Sequence, residues 1–284
     1  MYLTYILLFA TVITALFYKN QRALYVTIVT TNCVALYQGV LHPIGFCTLC
    51  TFGLVVLWYF YPKNNNIFVR AISFILLVVF ATLFSYHLMP GFSSLLALNQ
   101  VQLSTLSSPF SMYLNFDKVM AGVMLYVLSP LYSAERKIDA SSLQYTIFAL
   151  IACIAVIVGV AYTSGYIKLD AKLPSILPIF VLNNFFFVCF AEEVIFRGFL
   201  QNNIQKLLGK YGAKFPYLAI ILSALVFGIC HYKGGLIYVA VATISGGFYG
   251  YTYHRTNRIL CAMIVHCGLN LFHLLLFTYP YAIA

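Results

Sequence analysis

The sequence predicts an all-α protein: a polytopic bundle of about ten transmembrane helices, with its functional site among the last four. Three observations predict that class. Hydrophobic residues make up 63% of the 284 residues. Charged residues make up 8%, where a soluble domain carries about a quarter. Apolar runs near the ~20 residues that cross a bilayer also follow one another with little polar sequence between them. The mean hydropathy is +0.93.

The elements follow in order. The run 2–18 opens at Tyr2 with no basic n-region and no small-residue cleavage site, so it reads as a retained helix. Runs 23–41 and 44–61 come next, the latter carrying Cys47-x-x-Cys50 five residues after His42. That spacing can serve redox or metal chemistry. It lies in an apolar run with no second pair, and cysteine there ordinarily packs as a small hydrophobe. Pro62-Lys63-Asn64-Asn65-Asn66 punctuates the chain before the run 67–89. The stretch 90–118, rich in Ser, Asn and Gln, is the longest non-spanning segment and is expected at an interface. Runs 119–133 and 143–163 lead to the last four, at 175–200, 215–231, 234–254 and 258–280. A division near 140 separates N-terminal helices, 1–140, from a core, 141–284.

The net charge of +10 is scattered singly between apolar runs, which suits topology control better than a nucleic-acid partner. One set of alternate loops holds Lys19, Arg22, Lys63, Arg70, Arg136, Lys137, Lys206, Lys210, Lys214, Arg255 and Arg258. The other holds only Lys118, Lys168, Lys172 and Lys233. The richer set is expected on the cytoplasmic side, which puts both termini outside.

Six acidic residues occur in the chain, and Glu192 and Glu193 stand side by side within an apolar run. A charge at mid-membrane costs roughly 2.5–3.5 kcal/mol on insertion scales, so such a pair points to function. Glu193 and Arg197 are i and i+4 neighbours and neutralise one another, a structural clamp. Glu192 projects about 100° away, outside that pairing, where a desolvated carboxylate suits a general base. Two further constellations follow, Phe227-x-x-x-His231 and His266-x-x-x-Asn270, with His273 on the same helix face. Taken singly, such residues serve as often to glue helices together. Gly246-x-x-x-Gly250 reads as close helix packing beside them. If the chain reverses near Gly212, Glu192 and His231 lie about 28–30 Å from that turn, at nearly equal depth. His266 lies about 15 Å past a turn near Thr256, so the depths agree only if the 201–214 hairpin projects beyond the membrane.

Glu-Glu-x-x-x-Arg, Phe-x-x-x-His and His-x-x-x-Asn, in that order within 79 residues, resemble the CAAX-processing and bacteriocin-processing intramembrane endopeptidases. The family is also described as the CAAX prenyl protease 2 or lysostaphin-resistance-protein-A-like domain. Glu192-Glu193-Val194-Ile195-Phe196-Arg197-Gly198-Phe199-Leu200 and Thr256-Asn257-Arg258-Ile259-Leu260 match its local wording as well. The resemblance covers 175–275 and implies that 141–284 is an intramembrane protease core. It further implies that Glu192 activates a water with His231 assisting. His266 and Asn270 would hold the oxyanion, and Glu193 and Arg197 would orient the helix, with Phe227 in support. No cofactor is favoured. Zinc is the alternative, on Glu192, His231 and His266, since carboxylate and imidazole suit it, but H-E-x-x-H is absent. The implied partners are the bilayer and a membrane-associated protein or peptide substrate. Two other classes fit the same residues: a transporter using them as a proton relay, without the repeats or paired broken helices that mark one, and a non-catalytic protein binding a membrane partner.

Overall fold

The computed structural model of the protein describes residues 1–18, 20–61, 66–134, 138–209 and 216–283. Helices dominate: α1 (Tyr2–Tyr18), α2 (Gln21–Tyr37), α3 (Pro43–Tyr59), α4 (Ile67–Ser85), α5 (Phe116–Val127), α6 (Leu131–Ala134), α7 (Ala140–Thr163), α8 (Leu177–Gly209), α9 (Pro216–Ile229), α10 (Gly235–Thr256) and α11 (Ile259–Leu276). Every expected apolar run is helical. The fifth is shorter than expected, because Pro130 removes a backbone donor and ends it. The stretch 90–118 holds a two-stranded sheet, β1 (Leu95–Val101) with β2 (Phe110–Leu114), that the sequence reading did not anticipate. Proline at 90 and 109 and glycine at 91 discourage helix there.

Long apolar helices are fewer than ten. Among the described residues, α4, α7, α8 and α11 are long and apolar enough to cross a membrane, and α9 with residues 232–256 passes only as a pair, giving four to five. For three helices the shortfall is one of length. α1 and α3 have 17 residues each, about 25 Å against a hydrocarbon core of ~30 Å, and α5 has 12. The reversal expected near Gly212 lies outside the described residues. So do Lys19, Lys63, Arg136, Lys137, Lys210 and Lys214 of the charge argument.

The contacts divide the chain into two units. The first comprises Met1–Ala97, Tyr113–Ala134 and Phe186–Ala191. In it, Asn20 and Asn66 cap α2 and α4 by accepting from backbone amides. Thr11 and Thr31 hydroxyls meet at 2.9 Å between α1 and α2. At the start of α5, buried Asp117 is held by His87 Nδ1, 2.9 Å away. Cys47 and Cys50 lie exposed on α3.

The second unit comprises Leu98–Met112, Glu135–Phe185 and Glu192–Ala284. α7 packs on α10 and α11, and α9 on α10. The α9–α10 packing is close because three glycines remove side chains. A Cβ on Gly228 would meet Val239 O at 2.8 Å, one on Gly246 would meet Phe227 Cδ1 at 3.1 Å, and one on Gly250 would meet Ile220 at 3.1 Å. The expected packing role of Gly246-x-x-x-Gly250 is therefore seen, and it adjoins the polar cluster described next. At one end of this unit, residues 164–172 clasp the C-terminal segment. Asp170 N donates to Leu276 O, Thr278 N donates to Lys168 O, and Lys172 Nζ bonds Asp170 Oδ2 and Phe277 O.

Candidate active site

α8 positions the acidic pair. It runs 33 residues, roughly 50 Å at 1.5 Å per residue, longer than a bilayer core. Its last part lies within the expected 201–214 hairpin, the remainder of which lies outside the described residues. The helix is unevenly wound. Asn184–Cys189 and Val194–Gln201 are π-helical, with Phe190–Glu193 as one α-helical turn between them. Such wide turns occur disproportionately at functional sites, because they re-aim side chains without breaking the helix. Here they flank Glu192 and Glu193.

The four side chains that follow were all expected in the site. Arg197 Nε donates to Glu193 Oε2 at 3.0 Å, the i,i+4 clamp, with both residues fully buried. The other carboxylate oxygen of Glu193 lies 2.8 Å from His266 Nδ1 on α11. His266 Nε2 in turn faces Glu192 Oε2 at 3.9 Å. A line of alternating charge and imidazole thus runs Arg197, Glu193, His266, Glu192, on residues of the second unit. The buried arginine and Glu193 compensate one another, the condition under which burial of charge is tolerable.

Aromatic rings and hydroxyls wall this line. Arg197 lies 5.1 Å from the Phe227 ring and 5.8 Å from that of Tyr249. Tyr249 stacks on His266 at 4.4 Å and 14°. Arg197 Nη1 donates to Ser223 Oγ at 3.2 Å, and the Ser223 hydroxyl donates in turn to Phe196 O at 2.9 Å. Phe227 lies between the two histidines, 5.8 Å from the His266 ring and 4.6 Å from the His231 ring. His231 Nδ1 is tied to Phe227 O at 2.7 Å, and Tyr238 sits edge-on to His231 at 5.5 Å.

Asn270, one turn beyond His266, donates from Nδ2 to Asn184 Oδ1 at 3.0 Å. It is therefore on the α8-facing side, as expected, but its amide is engaged with another amide. His273 stands apart, its Nε2 turned to Thr278 O at the clasp. Ser223, Tyr249, Tyr238, Asn184 and Gln201 were missed by the sequence reading. Two carried a usable signal. Ser223 lies four residues before Phe227, and Gln201 lies four after Arg197, where its Nε2 donates to Gly250 O at 3.0 Å. Tyr249 lies inside the glycine pair, a motif that reads as packing.

Zinc would need several of these donors aimed at one point. Both histidines turn Nδ1 to a protein acceptor, leaving Nε2, as metal-bound imidazoles do. Among the described residues, however, no three His, Cys, Asp or Glu side chains close on one point as ligands would. Cys47-x-x-Cys50 gathers no further ligand either.

Comparison with curated proteins and with solved structures finds no match. A family model does match, described as type II CAAX prenyl endopeptidase, Rce1-like, over residues 174–272. That span contains Asn184, the acidic pair, Arg197, Phe227, both site histidines and Asn270. Residues 174–272 thus match the Rce1-like domain of the type II CAAX prenyl endopeptidases, the kind of protein that the three motifs resemble.

Proposed function

We propose that the protein is an intramembrane endopeptidase that cleaves a membrane-associated protein or peptide by a metal-free glutamate mechanism, within a core spanning 141–284. The observation that carries this is the line Arg197–Glu193–His266–Glu192, buried inside a domain of an endopeptidase family. In this reading Glu192 takes a proton from water as the water oxygen attacks the scissile carbonyl carbon. Two atoms 3.9 Å apart, Glu192 Oε2 and His266 Nε2, can both hydrogen-bond one water at about 2.8 Å. The carbonyl oxygen becomes an oxyanion that needs donors aimed at it. His266 and Asn270 are the side chains assigned to it, with His231 assisting the water. When the tetrahedral intermediate collapses, the C–N bond breaks and Glu192 returns its proton to the leaving amine.

Glu193 gains a role beyond orienting its helix. By accepting the Nδ1–H of His266 it fixes the imidazole's orientation, so that Nε2 donates to the oxyanion whenever the ring carries both protons. Asn270 would exchange its bond to Asn184 for one to substrate. The charge distribution favours both termini outside the cytoplasm.

The test is cleavage of a prenylated peptide with a C-terminal CAAX motif by purified protein in liposomes, read by mass spectrometry, with and without a strong zinc chelator. Cleavage that survives the chelator supports the reading. Cleavage abolished by the chelator and restored by zinc would transfer Glu192, His231 and His266 to a metal.

A further inference from the structure

Among the described residues, Arg258 is the one buried charged side chain outside the line above with nitrogens that lack a hydrogen-bond partner. It is 8% exposed, and neither Nε nor Nη1 has a hydrogen-bond partner among the described residues. It occupies the N-cap position of α11 in extended conformation, and its side chain makes no cap bond. The residue therefore sits at the positive end of an 18-residue helix dipole, where an anion is favoured. Among the described residues, Asp139 is within electrostatic reach of Arg258; it caps α7 and is occupied by Ser142 N at 2.8 Å and Ser141 Oγ at 3.1 Å. Neighbouring Arg255 is turned to Tyr145 OH and does not compete.

Position on the helix identifies the anion. Arg258 precedes His266 by eight residues, about 12 Å along α11 and about 80° around it. An extended peptide advances ~3.3 Å per residue, so a chain cut beside His266 would reach Arg258 in three to four residues. A CAAX motif is a C-terminal tetrapeptide, so its chain ends at about that distance from the site. A planar guanidinium fork matches a carboxylate with two parallel bonds. We propose that Arg258, at the start of α11, receives the C-terminal carboxylate of the substrate and so restricts cleavage to a site a few residues from a free chain end. This rests on the protease reading.

The test measures binding rather than turnover. Full-length Glu192→Gln protein in detergent is titrated with a fluorescent CAAX peptide ending in either a carboxylate or an amide. The acid is expected to bind about tenfold or more tightly than the amide, and Glu192→Gln/Arg258→Gln protein should bind the two alike. Arg258→Lys should keep part of the preference through its charge. Equal binding of acid and amide to the protein that retains Arg258 overturns the proposal, and needs no Arg258 variant to fold. So does a preference that persists in Arg258→Gln. If native mass spectrometry shows a co-purified phospholipid that is lost with Arg258→Gln, while acid and amide bind alike, the site belongs to a headgroup phosphate instead. Absence of cleavage by wild-type protein would sink the protease reading but leave this binding comparison intact.

Discussion

Glu193 serves two partners at once, one through each oxygen. Replacing it with glutamine keeps the shape but leaves Arg197 buried beside a neutral amide. Breaking a buried pair in this way costs about 3–5 kcal/mol, so Glu193→Gln should lower the unfolding temperature in detergent. It should also lower kcat about a hundredfold or more with KM little changed, because His266 loses the carboxylate that fixes it. An unchanged kcat would mean that Glu193 is a structural clamp alone. The Arg197 half of this arrangement was legible in the sequence, since i,i+4 spacing fixes it. The His266 half was not. The two residues lie 73 positions apart, and only the packing of α11 brings them together. The resemblance named His266, but for the oxyanion and not for a bond to Glu193. Ser223 and Tyr249 escaped notice because neither hydroxyl nor ring is unusual in an apolar helix.

At the scale of elements, helix existence was readable and helix length was not. Apolar runs marked every helix, but mean composition does not show where Pro130 stops α5, or that α8 continues through Asn202 and Asn203 to Gly209. Nor does a helical pattern distinguish an α turn from the π turns around the acidic pair. The close pairing of α9 and α10 carries the sharpest prediction at this scale. Gly228 sits next to Phe227 and one turn before His231, and an added methyl would press on the Val239 carbonyl at 2.8 Å, which cannot rotate away. Gly228→Ala should therefore cost about 1–3 kcal/mol and displace both aromatic site residues. Thermal unfolding and cleavage rate measured on the same preparation check it, and wild-type values in both would contradict the packing described here.

At the scale of the whole molecule, the clasp between residues 164–172 and the C-terminal segment secures the end of α11, the helix that carries His266 and Asn270. Burial pushes the Asp170 carboxyl up. Hydrogen bonds from Lys172, Ser104 and Ser107 and the charge of Lys172 outweigh that and hold it below its ordinary value. A carboxylate depressed on folding contributes stability that is complete above the unfolded value of about 4, and is lost as pH falls through the folded one. Wild-type protein should therefore melt higher than Asp170→Asn at neutral pH, with the difference closing on acidification below about pH 4. A difference independent of pH would assign the effect to something other than the charge. The central claim, however, concerns Glu192, and one substitution tests it most directly. Glu192→Gln removes the base while preserving volume. With the unfolding temperature held near that of wild type, cleavage of the CAAX peptide should fall by about 10²–10⁴-fold. Cleavage by Glu192→Gln at the wild-type rate would contradict the account, whatever the family resemblance.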